Sequence, residues 1–410
     1  MKVPFIDLKA CFDPLRAEMM SAMEGVFERC DFVLGKPVSD LEAAVREHSG
    51  AKFALGVANG TDSLVIALRA LGIGSGDEVI TSPFTFMATA EAINEVGALV
   101  VFQDIAPVSY NLDPSKVEQY IEANCQKTDA GLFDSRTGKR LRAILPVHLY
   151  GLMADMRAFM KMKAKYGIDI IEDAAQAQGA TMTIDGKTVQ AGAIGDAGCL
   201  SFYPSKNLGG AGDGGMILTN RQDVYDNAKL LHVHGSNQRY YHTAFGYNSR
   251  LDSFQAAALL VKLPRMNRWL EMRAENARAY CDAIKNKLSA SGIPVVFSDE
   301  IGLDGKRPEG AVVLPSEPKG FVHTYNTFEI RVPDRDAVSK ALIDNGVGNA
   351  IYYPLALHKQ TVFSFLGHSP EDFPVTEAVC SDILALPQYP ELSRDAVEYV
   401  AESLAAAVKK

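Results

Sequence analysis

The sequence predicts an α/β protein, with a large domain on a mainly parallel sheet and a smaller α+β domain after it. Three observations predict this. Near-continuous apolar runs such as "DEVIT", "ALVVF", "IDIIED" and "GGMILTN" alternate with helix-like segments through the first two-thirds of the chain. Runs apolar on both sides belong to a sheet covered on both faces. At about Leu251 a long helical stretch replaces the alternation. The 410 residues, 47% hydrophobic and 22% charged, suffice for two cores. The large domain is placed at 1–254 and the smaller one at 255–410.

Taken in order, "KFALGVANGTDSLVIALRALG" reads as strand, tight turn and helix, with Leu64, Ala67, Leu68 and Leu71 on one helical face. "DEVITSP" is a strand, and "TFMATAEAINEVG" a helix ended by Gly97. "ALVVFQDI" is the next strand. The polar "CQKTDAGLFDSRTGKRLRA" reads as an inserted surface excursion, a hairpin around residues 125–142. "RAILPVHLYG" and "IDIIEDA" are strands separated by the helical "ADMRAFMKMKAKYG", and "AGCLSFY" and "GGMILTN" complete the series. In such sheets ligands sit beyond the carboxyl ends of the strands.

Beyond Leu251 a helical stretch runs to about Leu288, and Pro264 should kink or divide it. "GLDGKRPEGAVVLPSEPKG" reads as loop, and "YNTFEIRV" as a strand with one solvated face. "DRDAVSKALIDNGV" and "DAVEYVAESLAAAVKK" read as amphipathic helices.

The net charge of -9 argues against a general nucleic-acid binder. No stretch has the length and apolarity of a membrane span, and "MKVPFIDLKA" lacks a signal-peptide core, so a cytoplasmic protein is expected. Cys11, Cys30, Cys125, Cys199, Cys281 and Cys380 are scattered without a CxxC pair, which fits reduced thiols. His232 and His234 have no accompanying cysteine or carboxylate cluster, so no metal site is expected.

Three chemical features fall where strands end. "NGTDSL" puts Gly60 and Thr61 at a strand-to-helix turn, where free amides and a hydroxyl suit a phosphate, although Asn-Gly-Thr is also an ordinary turn and cap. "IDIIEDAAQAQG" delivers Glu172 and Asp173 at a strand end, as helix cap, metal ligand or partner of a buried cation. "SFYPSKNLGGAGDGG" places Lys206 between an aromatic strand bearing Ser201 and a run of glycines. An amine forms a Schiff base only when unprotonated, and desolvation or nearby positive charge supplies that form. Pyridoxal 5'-phosphate would use all three: a lysine for its aldehyde, a carboxylate for its ring nitrogen and a phosphate cup. Phe84 and Phe86 offer an aromatic face, with core packing as the ordinary alternative.

"NGTDSL", "DEVITSPFTFMATAEAI", "YNLDP", "IIEDAAQAQGA", "SFYPSKNLGGAGDGG" and "GYNSRLDSFQAA", in this order, closely resemble the DegT/DnrJ-type sugar aminotransferases. The resemblance runs from about Phe5 to "YYPLALHKQ". It implies the aspartate aminotransferase fold, which is fold type I of the pyridoxal-phosphate enzymes. It also implies roles. Lys206 would form the Schiff base and later shuttle the substrate proton. Asp173 would pair with the ring nitrogen, Gln176 would lie against the ring hydroxyl and Phe86 would stack on the ring. Gly60, Thr61 and Ser201 would bind the phosphate. Asn248 would reach the phosphate of a neighbouring subunit and Arg250 its substrate, in a homodimer with shared active sites.

The resemblance further implies transfer of an amino group from L-glutamate to a nucleotide-linked keto-sugar, with a 3-keto acceptor favoured over a 4-keto one. The product would feed lipopolysaccharide, other surface polysaccharide or antibiotic sugars. Tyr203, Arg239, His242 and Tyr352 are the candidate sugar and nucleotide contacts, partly buried interface residues being the alternative for the tyrosines. Three other readings stay open: a free cyclitol ketone as acceptor, a sugar dehydratase, which Lys206 disfavours, and a non-catalytic regulator on the same fold.

Overall fold

The structure, a computed structural model, describes residues 1–409. The path of the central sheet runs Phe53–Val57, Gly215–Thr219, Ala197–Ser201, Asp169–Asp173, Arg140–Ile144, Asp77–Thr81, Leu99–Phe102. Gly215–Thr219 runs against both its neighbours, and the pairs from Ala197–Ser201 to Leu99–Phe102 are parallel. Consecutive strand residues go to opposite faces, and here they enter two different cores. Ile80, Val101, Ile144, Ile170, Leu200 and Leu218 join one. Val79, Val100, Ala143, Ile171, Cys199 and Ile217 join the other. Helices Lys36–Ser49 and Met156–Tyr166 cover the first face, and Gly60–Ala70 and Met87–Glu95 the second. This doubly covered sheet explains the near-continuous apolar strands.

The polar excursion is a hairpin: Cys125–Thr128 pairs antiparallel with Gly131–Asp134, which adjoins Arg140 through Phe133. A second sheet, Val295–Phe297, Val312–Leu314, Phe328–Arg331 and Ile383–Leu386, packs with Met266–Ser289, Arg335–Asp344 and Arg394–Val408 around its own core. Val3 also enters this core, bridged to Val347. At Pro264 a 3-10 turn, Leu263–Arg265, divides helix Ser253–Lys262 from Met266–Ser289.

Two expectations are corrected here. Val312–Leu314 lies in the segment expected to be loop, yet it is a fully buried strand. Phe328–Arg331, expected to have a solvated face, is covered on both sides. It lies between Val312–Leu314 and Ile383–Leu386, and Glu329 is 3% and Arg331 0% exposed. The Arg331 guanidinium is satisfied internally, by Asp382 Oδ1 at 2.6 Å and the Gly305 carbonyl at 2.6 Å. A charged strand residue stays buried where a partner satisfies it, as Asp382 and Gly305 satisfy Arg331. The sequence reading also left the helices Arg16–Arg29 and Lys36–Ser49 unassigned. Among the described residues no helix is long and apolar enough to cross a membrane.

Candidate active site

Strand Asp169–Asp173 ends at the middle of the sheet, and its last two residues point to opposite sides. Glu172 is fully buried and saturated. Its Oε1 accepts the Ile194 and Gly195 amides at 2.8 and 2.7 Å, and its Oε2 accepts Gly192 N–H at 3.0 Å. His148 Nδ1 accepts the Ala154 N–H at 3.1 Å, so Nε2 carries the proton and donates to Glu172 Oε2 at 2.9 Å. Glu172 therefore braces the loop at 192–195 and has no acceptor capacity left for a ligand.

Asp173 is equally deep but less committed. Its Oδ2 accepts from Thr89 Oγ1 at 2.8 Å and its Oδ1 from the Ala175 amide at 3.2 Å. Since the Thr89 proton goes to the carboxylate, the Thr85 hydroxyl, 3.0 Å away, donates to Thr89. Burial pushes the Asp173 carboxyl above its ordinary range, while Thr89, Ala175, Lys206 and His148 pull it back.

Lys206 lies in the turn after strand Ala197–Ser201, its amide bonded to the Tyr203 carbonyl at 2.9 Å. The turn is pinned on both sides: Asn207 Nδ2 donates to the Gln178 carbonyl at 3.1 Å, and the buried Lys262 Nζ donates to the Gly209 carbonyl at 2.5 Å. A Cβ at Gly209 would meet the Pro204 carbonyl at 2.2 Å, so only glycine lets the chain fold back there. Among the described residues the Lys206 amine has no hydrogen-bond partner and no ion pair within 4.0 Å. Burial lowers its pKa, and Asp173 opposes that shift.

Helix Gly60–Ala70 starts beside this turn. Asn59 caps it, its side chain accepting Asp62 N–H at 2.8 Å, which leaves the Gly60 and Thr61 amides at the positive end of the helix. A Cβ at Gly60 would lie 2.8 Å from Ser201 Cβ, which places the Ser201 hydroxyl at the helix start. Phe86, 58% exposed, caps helix Met87–Glu95, the helix that carries Thr89. Gln176 Oε1 accepts Tyr150 N–H at 2.7 Å and its Nε2 donates to the Tyr353 hydroxyl at 3.2 Å. An unpaired amine, a buried carboxylate and a helix start lined by hydroxyls match the aldehyde, ring nitrogen and phosphate of pyridoxal phosphate. The residues fit that group.

The other named residues differ in their placement. Arg239 and His242 belong to an exposed hairpin, Ser236–Gln238 with Tyr241–His242. There the Arg239 guanidinium covers Tyr240 at 5.1 Å, and His242 Nδ1 sits 2.9 Å from the His234 carbonyl. Asn248 is exposed and bridges to Val233, and Arg250 is half-buried. Tyr203 is 54% exposed. Tyr352 is half-buried, and burial, Glu329 and Tyr203 all raise its hydroxyl pKa. Thr89, Tyr150 and Tyr353 were not anticipated. Thr85 precedes the helix that carries Thr89, so their contact is made across the helix start and not along a helical face. Tyr353 meets Gln176 across 177 residues and left no local signal.

Residues 14–405 match the DegT/DnrJ/EryC1/StrS aminotransferase family. A Geobacillus stearothermophilus protein named pleiotropic regulatory protein is 40% identical over 405 residues, covering 99% of this chain and 98% of its own. An Acidithiobacillus ferrooxidans protein named UDP-N-acetyl-3-dehydro-alpha-D-glucosamine 3-aminotransferase is 39% identical over 399 residues, covering 97% of this chain and 96% of its own. The solved structure of S. venezuelae DesV in complex with a ketimine intermediate is 32% identical with a TM-score of 0.86, covering 100% of this chain and 99% of the other. The architecture is that of fold type I. Because the likeness runs through nearly the whole chain and the strand ends carry the amine, carboxylate and helix start that pyridoxal phosphate requires, this chain belongs to the DegT/DnrJ/EryC1/StrS aminotransferase family of pyridoxal-phosphate-dependent enzymes.

Proposed function

We propose that this chain transfers an amino group from L-glutamate to a nucleotide-linked keto-sugar, with the ketone at position 3 favoured over position 4. One observation carries the reading: the unpaired, half-buried Lys206 amine in electrostatic reach of the buried Asp173, next to an open helix start. The name of the Acidithiobacillus relative, a 3-aminotransferase of a UDP-linked 3-dehydro sugar, supports the substrate class and the position. A relative with a regulatory name does not favour a non-catalytic role, since a regulator has no use for a desolvated amine set against a buried carboxylate.

When bound, pyridoxal phosphate supplies a cationic ring that takes up the electron pair left by a departing C–H proton. In our reading the residues divide the rest. Lys206 Nζ, which burial favours in its neutral form, anchors the cofactor and, once free, moves the proton at the substrate carbon. Asp173 would keep the ring nitrogen protonated, with Thr89 holding Asp173 in place. The Gly60 and Thr61 amides and the Ser201 hydroxyl would bind the phosphate, Phe86 would pack on the ring and Gln176 would serve the ring hydroxyl. Tyr203, in the Lys206 turn, and Tyr352, in reach of it, would meet the substrate. The exposed Arg239, His242 and Asn248 and the half-buried Arg250 fit the proposed C2 homodimer, in which each subunit would complete its neighbour's site.

Borohydride should bleach the near-visible band of the purified protein and label Lys206, and Lys206→Ala should lose both the label and amine transfer. A glutamate-driven panel of UDP- and dTDP-linked 3-keto and 4-keto sugars, with a free inosose beside them, then identifies the acceptor. Turnover of the cyclitol alone would exclude the nucleotide-sugar reading.

A further inference from the structure

Gln176 is gripped by two groups to which the function above gives no role. Its Oε1 accepts the Tyr150 backbone N–H at 2.7 Å. A backbone N–H pairs only with an acceptor, so the amide cannot be flipped, and its NH2 end is aimed away from Tyr150. There Nε2 donates one proton to the Tyr353 hydroxyl at 3.2 Å and keeps a second proton free. Tyr353 packs edge-on against Phe84, with ring centroids 6.0 Å apart and planes at 79°. The Tyr150 hydroxyl in turn donates to the Tyr352 carbonyl. The turn at Leu149–Gly151 and the Tyr352–Tyr353 segment thus hold each other, with Gln176 between them.

We propose that Tyr353 is a positioning residue: by accepting one Nε2 proton of Gln176 it aims the other at the ring hydroxyl of the bound cofactor, and so favours the ionised form of that oxygen. This rests on the cofactor site proposed above. A donor aimed at an oxygen stabilises its anion over its neutral form. The titratable groups facing Tyr353 are Asp173, Glu329 and Tyr352, and those facing Tyr150 are Glu329, Tyr353, Cys380 and Tyr110. Lys206 and His148 lie within electrostatic reach of Asp173. Tyr353→Phe keeps the ring, removes only its own hydroxyl and leaves the other groups in place.

The test is a spectrophotometric pH titration of the holoenzyme. In Tyr353→Phe the midpoint of the cofactor's visible band should rise by roughly 0.5–1 pH unit. kcat should fall about threefold or more with little change in KM, as expected when an interaction specific to the reacting state is weakened. Gln176→Ala should shift the midpoint at least as far, and adding Tyr353→Phe to it should shift it no further. Tyr150→Phe frees the Tyr352 carbonyl without touching Gln176 and should leave the midpoint in place. An unmoved midpoint in Tyr353→Phe, additive shifts in the double variant, or an equal shift in Tyr150→Phe would each overturn the proposal. Borohydride labelling of Lys206 in the same samples separates the two readings: a labelled lysine with an unmoved midpoint sinks Tyr353 alone, and an unlabelled wild type sinks the cofactor site.

Discussion

Glu172 and Asp173 are adjacent carboxylates with opposite fates. Among the described residues Glu172 accepts three backbone amides and the His148 imidazole, and Asp173 accepts only Thr89 and Ala175. The carboxyl left short of donors is the one able to serve a ligand. Burial raises the Asp173 pKa in the folded chain above its unfolded value. Folding then favours the protonated form, so the carboxyl's contribution is fully present below the unfolded pKa and is lost as pH rises through the folded one. In cofactor-free protein, Asp173→Asn should therefore gain melting temperature relative to wild type as pH rises from about 4 to about 7, and it should bind the cofactor about tenfold or more weakly. A difference independent of pH would show that the carboxyl is not desolvated.

Strand Asp169–Asp173 and the loop at 191–196 form one unit. Period-two alternation sends Glu172 under the sheet, where the loop's amides wrap it, and sends Asp173 into the pocket with Thr89. Glu172→Gln would offer one acceptor oxygen where two now serve four donors. It should destabilise the chain by about 3 kcal/mol, read as a lower urea midpoint with an unchanged slope. Equal loss of stability in Asp173→Asn at pH 7 would contradict this division of labour. The element pattern was readable because the strands are apolar throughout and the helices amphipathic. Besides the unassigned helices Arg16–Arg29 and Lys36–Ser49, two strands escaped it. Glu329 and Arg331 disguised a buried strand as a half-solvated one, and Val312–Leu314 hid among Gly, Pro and charged residues.

Across the whole molecule the segment bridged to the second sheet at Ala350 brings Tyr353 onto Gln176, so the candidate site draws on residues from 59 to 353. The proposed dimer predicts sedimentation at twice 44.4 kDa. It also predicts rescue in mixtures. If Asn248 serves the partner's site, Lys206→Ala and Asn248→Ala subunits, each weak alone, should after exchange regain about a quarter of wild-type activity, since half the dimers would hold one intact site. No gain over the separate variants would place Asn248 outside the site. The exposed aromatics Phe27 and Phe32, packed with Phe254 at 4.8 and 5.8 Å, offer apolar surface for such an assembly.

The sequence by itself determined the alternating architecture, the family, and the lysine, carboxylate and helix start as the chemical core. Each of these is written in local order: apolar periodicity, a glycine run after a lysine, acidic residues ending a strand. Only the tertiary structure decided which acidic neighbour faces the pocket, that Thr89 holds it, and that Tyr353 grips Gln176. These depend on strand direction and on contacts between residues up to 177 apart, which no short window of sequence contains.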